Sequence, residues 1–337
     1  MAENTGNGIH GMGPNRNDGH KHKIAIIGSG VVGQATGMAL INKGFDITFV
    51  DNNIDVVKEL DAQGYRATLT EGLDPRIDPK WLRIASKFRY KTTLTDDLDP
   101  QQINIFFVSV PTYVSEDDGG ISYMRTAAEN LGVWLSRKSD YSLVVVRSTV
   151  LPGTTENMIV PTIEKYSNKK AGQDFGVCVN PEYLRAKCAL SDFEKPWVVT
   201  IGEMHKRDGD ILKDVYHWVD CPVHRVSIRE AEMQKFVHNL FNANKIAFFN
   251  EMRQACRELG TDCGKMFQIV TESAEGMWNP AYGTKDMGPF SGACLPKDAR
   301  AFLRFSKENL KTQMRVLQAM LDSNEDLIKN YNQSPVK

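Results

Sequence analysis

The sequence predicts an α/β fold: a doubly wound, mostly parallel sheet in the N-terminal region, then an all-helical region built on one long connecting helix. Three observations predict it. An apolar run, Lys23–Ile27, leads into Gly28-Ser-Gly30-Val-Val-Gly33 and a helical stretch. Further apolar runs alternate with helical patterns to about residue 201. From Ser227 onward the pattern is helical to the end of the chain. Strands alternating with helices imply parallel strands with crossover helices.

The first element is the strand Lys23–Ile27, followed by the glycine motif, a helix over 34–43 and a second strand, Asp46–Val50, ending at Asp51. A lone GxGxxG is weak evidence. One that follows a strand, opens a helix and has an acid about twenty residues on is the dinucleotide-binding, Rossmann-type context. Its glycines let backbone amides at a helix N-terminus approach a pyrophosphate. Asp51 would accept hydrogen bonds from the adenosine ribose and repel a 2′-phosphate. Positions 52 and 53 are both Asn, with no cation directly after, so NAD is expected rather than NADP.

Four more strands are expected: 103–110 ending at Pro111-Thr112, 141–146 ending at Arg147-Ser148-Thr149, 175–179 ending at Asn180-Pro-Glu182, and 197–201. Ligands of such sheets sit beyond the C-terminal ends of the strands. Thr112, Ser148, Thr149 and Glu182 all fall there. A polar residue at one strand end is most often a helix cap. Several on one edge point to a site.

Ser227-Ile-Arg-Glu230 is a capping box. It opens a helix expected to run to Glu258 and stop at Gly260. Apolar residues from Met233 to Ala255 give it a broad face to bury, so it is expected to link domains or form a dimer core. Lys235 and Asn239 lie four apart and share a face. Past it, Gly288-Pro-Phe-Ser-Gly-Ala-Cys294-Leu-Pro-Lys-Asp298 reads as a tight loop entering a helix, with Pro296 in the first turn. A further helical stretch is expected from Lys297 to about Asn330. Cys294 would sit near a helix N-terminus with Lys297 close in sequence, both favouring thiolate. Asp298, four residues on, would share its face. Taken alone, such a cysteine is more often a buried structural one.

The chain has 337 residues and a net charge of −1, which gives no global pull toward nucleic acid or an anionic membrane. No apolar run reaches the length of a membrane span, and the N-terminus lacks a signal-peptide core. Six cysteines without CxxC pairs argue against a zinc site or a disulfide framework, and a cytoplasmic setting is expected. Residues 1–22, rich in Gly, Asn and His, are expected to be a disordered tail. His20 and His22 lack the further ligands a metal site needs, so no metal is expected. The domains expected are 23–227 for the cofactor, 228–330 for the helical dimerisation and catalytic region, and 331–337 as a tail.

Together these motifs resemble the UDP-glucose/GDP-mannose 6-dehydrogenases, the nucleotide-sugar dehydrogenases. The resemblance rests on Gly28-x-Gly30-x-x-Gly33, Pro111-Thr112, Arg147-Ser-Thr-Val-Leu-Pro-Gly-Thr154, Asn180-Pro-Glu-Tyr-Leu-Arg185, Glu232-x-x-Lys235-x-x-x-Asn239 and Gly292-x-Cys294-x-Pro-Lys-Asp298, in the family's order over roughly residues 23–320. It implies a four-electron oxidation of a sugar C6 alcohol to a carboxylate, with two NAD reduced. Carried over, Cys294 would form a thiohemiacetal and then a thioester. Lys235 and Asn239 would stabilise the oxyanion, Asp298 and Thr112 would hold water or relay protons, and Glu182 would activate the hydrolytic water. The resemblance implies cofactor contacts at Gly28, Gly30, Val31, Val32, Gly33, Asp51, Pro111, Thr112, Ser148 and Thr149. Substrate contacts would come from Glu182, Tyr183, Leu184, Arg185, Lys235, Asn239, Phe290 and Gly292, and the active form would be a homodimer.

The sequence departs from that pattern at several places. A family glutamate four residues after Glu182 is Ala186 here. The usual Gly-Phe-Gly-Gly-Ser-Cys reads Pro289-Phe-Ser-Gly-Ala-Cys294, and 276–282 lacks an arginine that many members bring to the substrate. The chain also stops near the expected start of the family's third, nucleotide-clamping domain. The readings in play are therefore a UDP-glucose-like substrate, a smaller or unusual primary alcohol, or a catalytically idle NAD-binding scaffold.

Overall fold

A computed structural model describes residues 22–63, 91–94, 97–112, 121–285 and 288–333. The tail expected over 1–22, His20 included, lies outside the described residues except for His22, whose Nε2 stands 3.5 Å from the Asp214 carboxylate. The chain divides into two compact units, the first ending at Phe236 and the second beginning at Val237.

The first unit is built on one sheet. In chain order its elements are β1 (Lys23–Ile27), α1 (Val31–Asn42), β2 (Asp46–Asp51), α2 (Ile54–Gln63), β3 (Lys91–Leu94), β4 (Ile105–Val108), α3 (Ser122–Ser136), β5 (Ser142–Val146), α4 (Val160–Ser167), β6 (Phe175–Val179), α5 (Ala189–Glu194), β7 (Val199–Glu203), α6 (Lys206–Val215) and β8 (Val223–Ser227). Among the described residues the sheet has eight strands in the order β3-β2-β1-β4-β5-β6-β7-β8. Pairing is parallel throughout except between β6 and β7. The order reverses direction between β1 and β4, which makes that junction the switch point where such sheets bind ligands.

Continuous apolar strands are required because both faces are covered. Ala25, Ile27, Phe106 and Val108 pack with Met124, Leu131 and Trp134 of α3 and Ile163 of α4. Their alternates Ile24, Ile26, Ile105 and Phe107 pack with Met38 and Leu40 of α1 and Leu212 and Val215 of α6. The two-residue period of a strand sorts the side chains between the layers.

The long helix α7 (Ile228–Glu258, 31 residues) starts as the sequence predicts. Glu230 accepts from the Ser227 N–H at 2.8 Å, and the Glu230 N–H donates to Ser227 Oγ at 3.3 Å, the reciprocal bonds of a capping box. It ends where Gly260 adopts φ 66°. Then come α8 (Cys263–Ser273), α9 (Glu275–Trp278), α10 (Leu295–Asn309) and α11 (Arg315–Gln333).

Three expectations are corrected. The single helical stretch from Lys297 to Asn330 is two helices, and the second runs into the expected tail. Leu310 is extended, at φ −115° and ψ 151°. Glu258 accepts from the Lys311 N–H at 2.5 Å and from the Thr312 hydroxyl. Glu251 then accepts from the Val316 and Leu317 N–H groups at 2.9 and 3.2 Å, capping the start of α11. Two carboxylates on α7 thus stabilise a break that no Gly or Pro marks. The last expected strand begins at Val199 rather than Trp197, whose side chain is 58% exposed, and pairs from Val199 with Val223 of β8. The strand expected over 103–110 is confined to Ile105–Val108, because beyond it Arg147 and Ser148 N–H groups both turn onto the Val108 carbonyl. The second unit has its own small core of Ala255, Leu303, Met314, Leu317 and Leu321.

Asp208 is buried beneath β6, where Tyr141 donates to it at 2.5 Å and the Val177 N–H at 3.3 Å. Burial pushes its carboxyl above the usual range, and the hydrogen bonds oppose that only in part. A carboxyl with a raised folded pKa stabilises fully below its unfolded value of about 3.9 and loses that contribution as pH rises through the folded value. Asp208→Asn removes the titration. The stability of the wild type relative to D208N should therefore fall as pH rises above about 4, read from urea midpoints. A difference that does not change with pH would contradict the raised value.

Candidate active site

The glycine loop is positioned by backbone geometry that other residues could not adopt. Gly28 has φ +88°, and a Cβ there would stand 2.8 Å from the Ser109 carbonyl at the end of β4. At Gly33 a Cβ would stand 2.0 Å from the Gly28 carbonyl. Gly30 is different: a Cβ there would meet nothing within 4 Å. It caps α1 with no side-chain hydrogen bond, so the amides of the first turn, which includes Val31 and Val32, are left without a side-chain partner. Asp51 accepts from the Ser29 N–H at 2.8 Å and from the Asn53 N–H at 2.9 Å, so it ties the end of β2 to the glycine loop.

The structure brings several of the predicted strand-end residues together. Ser148 donates to the Val110 carbonyl at 2.7 Å, holding the loop after β5 against Pro111 and Thr112 after β4. Thr112 is half-buried and Pro111 exposed. After β6, Glu182 accepts from the Leu184 N–H at 2.6 Å. Lys235 of α7 reaches the same turn. Its Nζ lies 3.0 Å from Glu182 Oε1 and also donates to the Glu182 backbone carbonyl. The two side chains are 7% and 17% exposed, so this is a nearly dry ion pair. Asn239 follows one turn later on α7 and is exposed.

Neighbouring contacts hold that turn in shape. Arg147 is buried and donates from Nη1 to Asn180 Oδ1 at 2.5 Å, which also accepts from the Tyr216 hydroxyl at 2.6 Å. Asn180 Nδ2 donates to the Thr200 carbonyl at 2.8 Å. The guanidinium sits 4.8 Å from the Phe193 ring centroid. Tyr183 reaches Gln234 of α7 at 2.5 Å and Thr200 at 2.8 Å, and burial raises its hydroxyl pKa. Arg185 is committed to Asp192 through two side-chain bonds of 3.0 and 2.7 Å and stands 5.1 Å from the Trp197 ring.

In the second unit Cys294 is the N-cap residue of α10, with Pro296 in the first turn. It is the exposed cysteine of the six; Cys178, Cys188 and Cys256 are buried. The bland reading of Cys294 as a buried structural residue does not hold. Lys297 Nζ lies 2.6 Å from Asp298, so that ammonium is already paired with a carboxylate. The loop before the cysteine is held by Asn324 of α11, which accepts from the Phe290 N–H at 2.8 Å and donates to its carbonyl at 3.0 Å. Gly292, at φ +86°, supplies the left-handed turn that follows.

Sequence reasoning assigns no role to Glu232, Asp192 or Asn324. Glu232, Arg147 and Asn180 stand inside motifs legible in the sequence, and a polar residue in a motif is the available signal. Asp192 and Asn324 lie outside every motif. No helix among the described residues is long and apolar enough to cross a membrane.

NAD fits this arrangement. The open space at Gly30, the uncapped amides of α1 and the Asp51 carboxylate at the end of β2 are what a pyrophosphate and a ribose diol require.

Comparison with known proteins agrees. The family model for the NAD-binding domain of UDP-glucose/GDP-mannose dehydrogenases matches residues 22–220, and the model for that family's central domain matches 229–326. A GDP-mannose 6-dehydrogenase of Pseudomonas savastanoi pv. phaseolicola is 32% identical over 311 residues, covering 91% of this chain and 69% of that protein. A UDP-glucose 6-dehydrogenase of Haloferax volcanii is 32% identical over 313 residues, covering 90% and 69%. The ternary complex of GDP-mannose dehydrogenase from Pseudomonas aeruginosa superposes with a TM-score of 0.80 at 30% identity, covering 91% of this chain and 69% of that one. The chain belongs to the UDP-glucose/GDP-mannose dehydrogenase family and is an NAD-dependent nucleotide-sugar dehydrogenase.

Proposed function

We propose that the chain oxidises the C6 primary alcohol of a nucleoside-diphosphate sugar to the carboxylate through a covalent intermediate on Cys294. The observation that carries this reading is the buried pair of Lys235 and Glu182 at the C-terminal edge of the sheet. It gives one place an ammonium for a developing oxyanion and a carboxylate able to take a proton from water. GDP-mannose and UDP-glucose are the substrates named by the relatives, and both belong in the test.

Gly28, Gly30, Gly33 and Asp51 hold the cofactor, with Val31, Val32, Pro111, Thr112, Ser148 and Thr149 lining its path. Bound NAD supplies the hydride acceptor, one for each of the two oxidations. The chain's own groups do the rest. Lys235, with Asn239, stabilises the alkoxide as the C6 hydroxyl gives up its proton, which Asp298 and Thr112 relay through water. Loss of hydride then leaves the aldehyde. The Cys294 thiolate attacks that carbonyl; a C–S bond forms, and Lys235 stabilises the thiohemiacetal oxyanion. Loss of a second hydride converts this to a thioester. Glu182 takes a proton from water, the hydroxide adds, the C–S bond breaks, and the carboxylic acid leaves with Cys294 restored.

Glu182, Tyr183, Leu184, Arg185, Phe290 and Gly292 are assigned to the sugar nucleotide. Because Arg185 is paired with Asp192, it contributes by shaping the turn. Val237, Leu240, Phe241 and Ile246 of α7 leave large apolar side chains 54–63% exposed. A homodimer packed on this helix belongs to the same proposal, as does a working place in the cytoplasm.

Two measurements check the reading. Purified chain with NAD should form about two NADH per sugar consumed with GDP-mannose or UDP-glucose, by absorbance and product mass; NADH formation only with simple primary alcohols would overturn the nucleotide-sugar assignment. Asp51→Asn should reduce the preference for NAD over NADP at least about tenfold, because the repulsion of a 2′-phosphate is removed. Unchanged discrimination would take Asp51 out of its role.

A further inference from the structure

Glu232 lies one helical turn before Lys235 on α7, and its side chain points into the protein. It is 2% exposed. One carboxylate oxygen accepts from the Thr155 N–H at 2.9 Å and the other from the Gly153 N–H at 2.5 Å. Both donors belong to the loop after β5, the loop that carries Ser148 and Thr149. The Thr155 amide opens the helical turn Thr155–Ile159 that runs into α4, so the carboxylate serves amides that a helix start leaves unpaired.

The same turn of α7 is pressed onto the sheet. A Cβ at Gly202 of β7 would stand 2.5 Å from the Ala231 methyl, so the helix approaches as closely as a glycine permits. Ala231 and Ile228 are fully or almost fully buried there. One turn on, Lys235 crosses to the loop after β6 and meets Glu182. Ser148, Thr149, Pro181, Glu232 and Lys235 all line one cavity of about 10 Å³, too small for substrate. α7 is therefore fastened to two different strand-end loops by two side chains one turn apart. A rigid helix transmits the position of the first to the second.

We propose that Glu232 is a positioning residue for Lys235: by gripping the Gly153 and Thr155 amides it sets the depth at which α7 carries the ammonium against Glu182. Glu232 itself touches neither substrate nor cofactor. The inference rests on the reading of Lys235 as the oxyanion-stabilising group, and the test separates the two.

The experiment is a double-mutant cycle of Glu232→Gln and Lys235→Met on the full chain, with kcat and the KM for NAD measured for each. A glutamine can accept from one amide but sets its NH2 against the other. E232Q should lower kcat about 10- to 100-fold with the NAD KM within about threefold. In the K235M background the same change should alter kcat less than about twofold. Glu232→Asp, which keeps the charge but shortens the reach, should fall between wild type and E232Q, and it carries the test if E232Q does not fold. The second readout needs no activity: amine acylation of the folded protein, followed by peptide mass. Lys235 should label at least about fivefold faster in E232Q. Lys138, an equally buried lysine that donates to the Pro100 and Gln101 carbonyls, should label at the wild-type rate. An equal loss of kcat in both backgrounds, or equal labelling of Lys235 in variant and wild type, would overturn the proposal. Wild-type kcat in K235M would overturn the role of Lys235 instead, and labelling would still decide whether Glu232 positions it.

Discussion

A lysine ammonium taken out of water must find negative charge and hydrogen-bond acceptors, or it destabilises the fold that buries it. Lys235 meets that demand with the carboxylate and the backbone carbonyl of a single residue, Glu182. Much else in the first unit follows from this. The turn after β6 must present Glu182 at a fixed height, which the buried Arg147–Asn180–Tyr216 network provides. The start of α7 must reach the sheet edge, which Gly202 allows and the capping box fixes. Isolated buried pairs of this kind add little net stability. Their value lies in holding two ionised groups ready within hydrogen-bond distance.

The cofactor half follows a different physical logic. There the polar groups are backbone amides, and the task is to leave them open. Glycines at 28 and 33 bring the loop, the next strand and α1 into contact that a methyl group would block, whereas Gly30 keeps its surroundings empty. Asp51 is held by two amides, so its carboxylate is oriented before any ribose arrives. The two halves meet at the loops after β4 and β5, where Ser148 bonds to the Val110 carbonyl and Glu232 accepts from the Gly153 amide of the same β5 loop.

The sheet is legible in the sequence because its strands are buried on both faces and read as unbroken apolar runs bounded by polar strand ends. The glycine motif and the capping box are legible for a similar reason: each is a local geometry that few residues satisfy. The edge strands β3 and β8 are not. Lys91–Leu94 and Val223–Ser227 are short and polar, and only their neighbours make them strands. The break between α10 and α11 is invisible because its causes, Glu251 and Glu258, lie about fifty residues upstream or more. For the candidate site, residue types and order single out Lys235, Glu182, Asp51 and Cys294 as the residues to test. Spacing cannot reveal which partner each takes. Lys297 is expected from sequence to act on Cys294 and instead pairs with Asp298, while Arg185 turns to Asp192. Such pairings are decided by distances of a few ångströms that sequence does not encode locally.

The claim on which the chemistry rests is that Glu182 hydrolyses an acyl group carried by Cys294. Its most direct test is intact-protein and peptide mass spectrometry of Glu182→Gln, mixed with NAD and the sugar nucleotide that the wild type oxidises. The expected result is an acyl adduct that accumulates on the Cys294 peptide while acid release slows by about two orders of magnitude or more. Acid released at the wild-type rate with no adduct on Cys294 would contradict it.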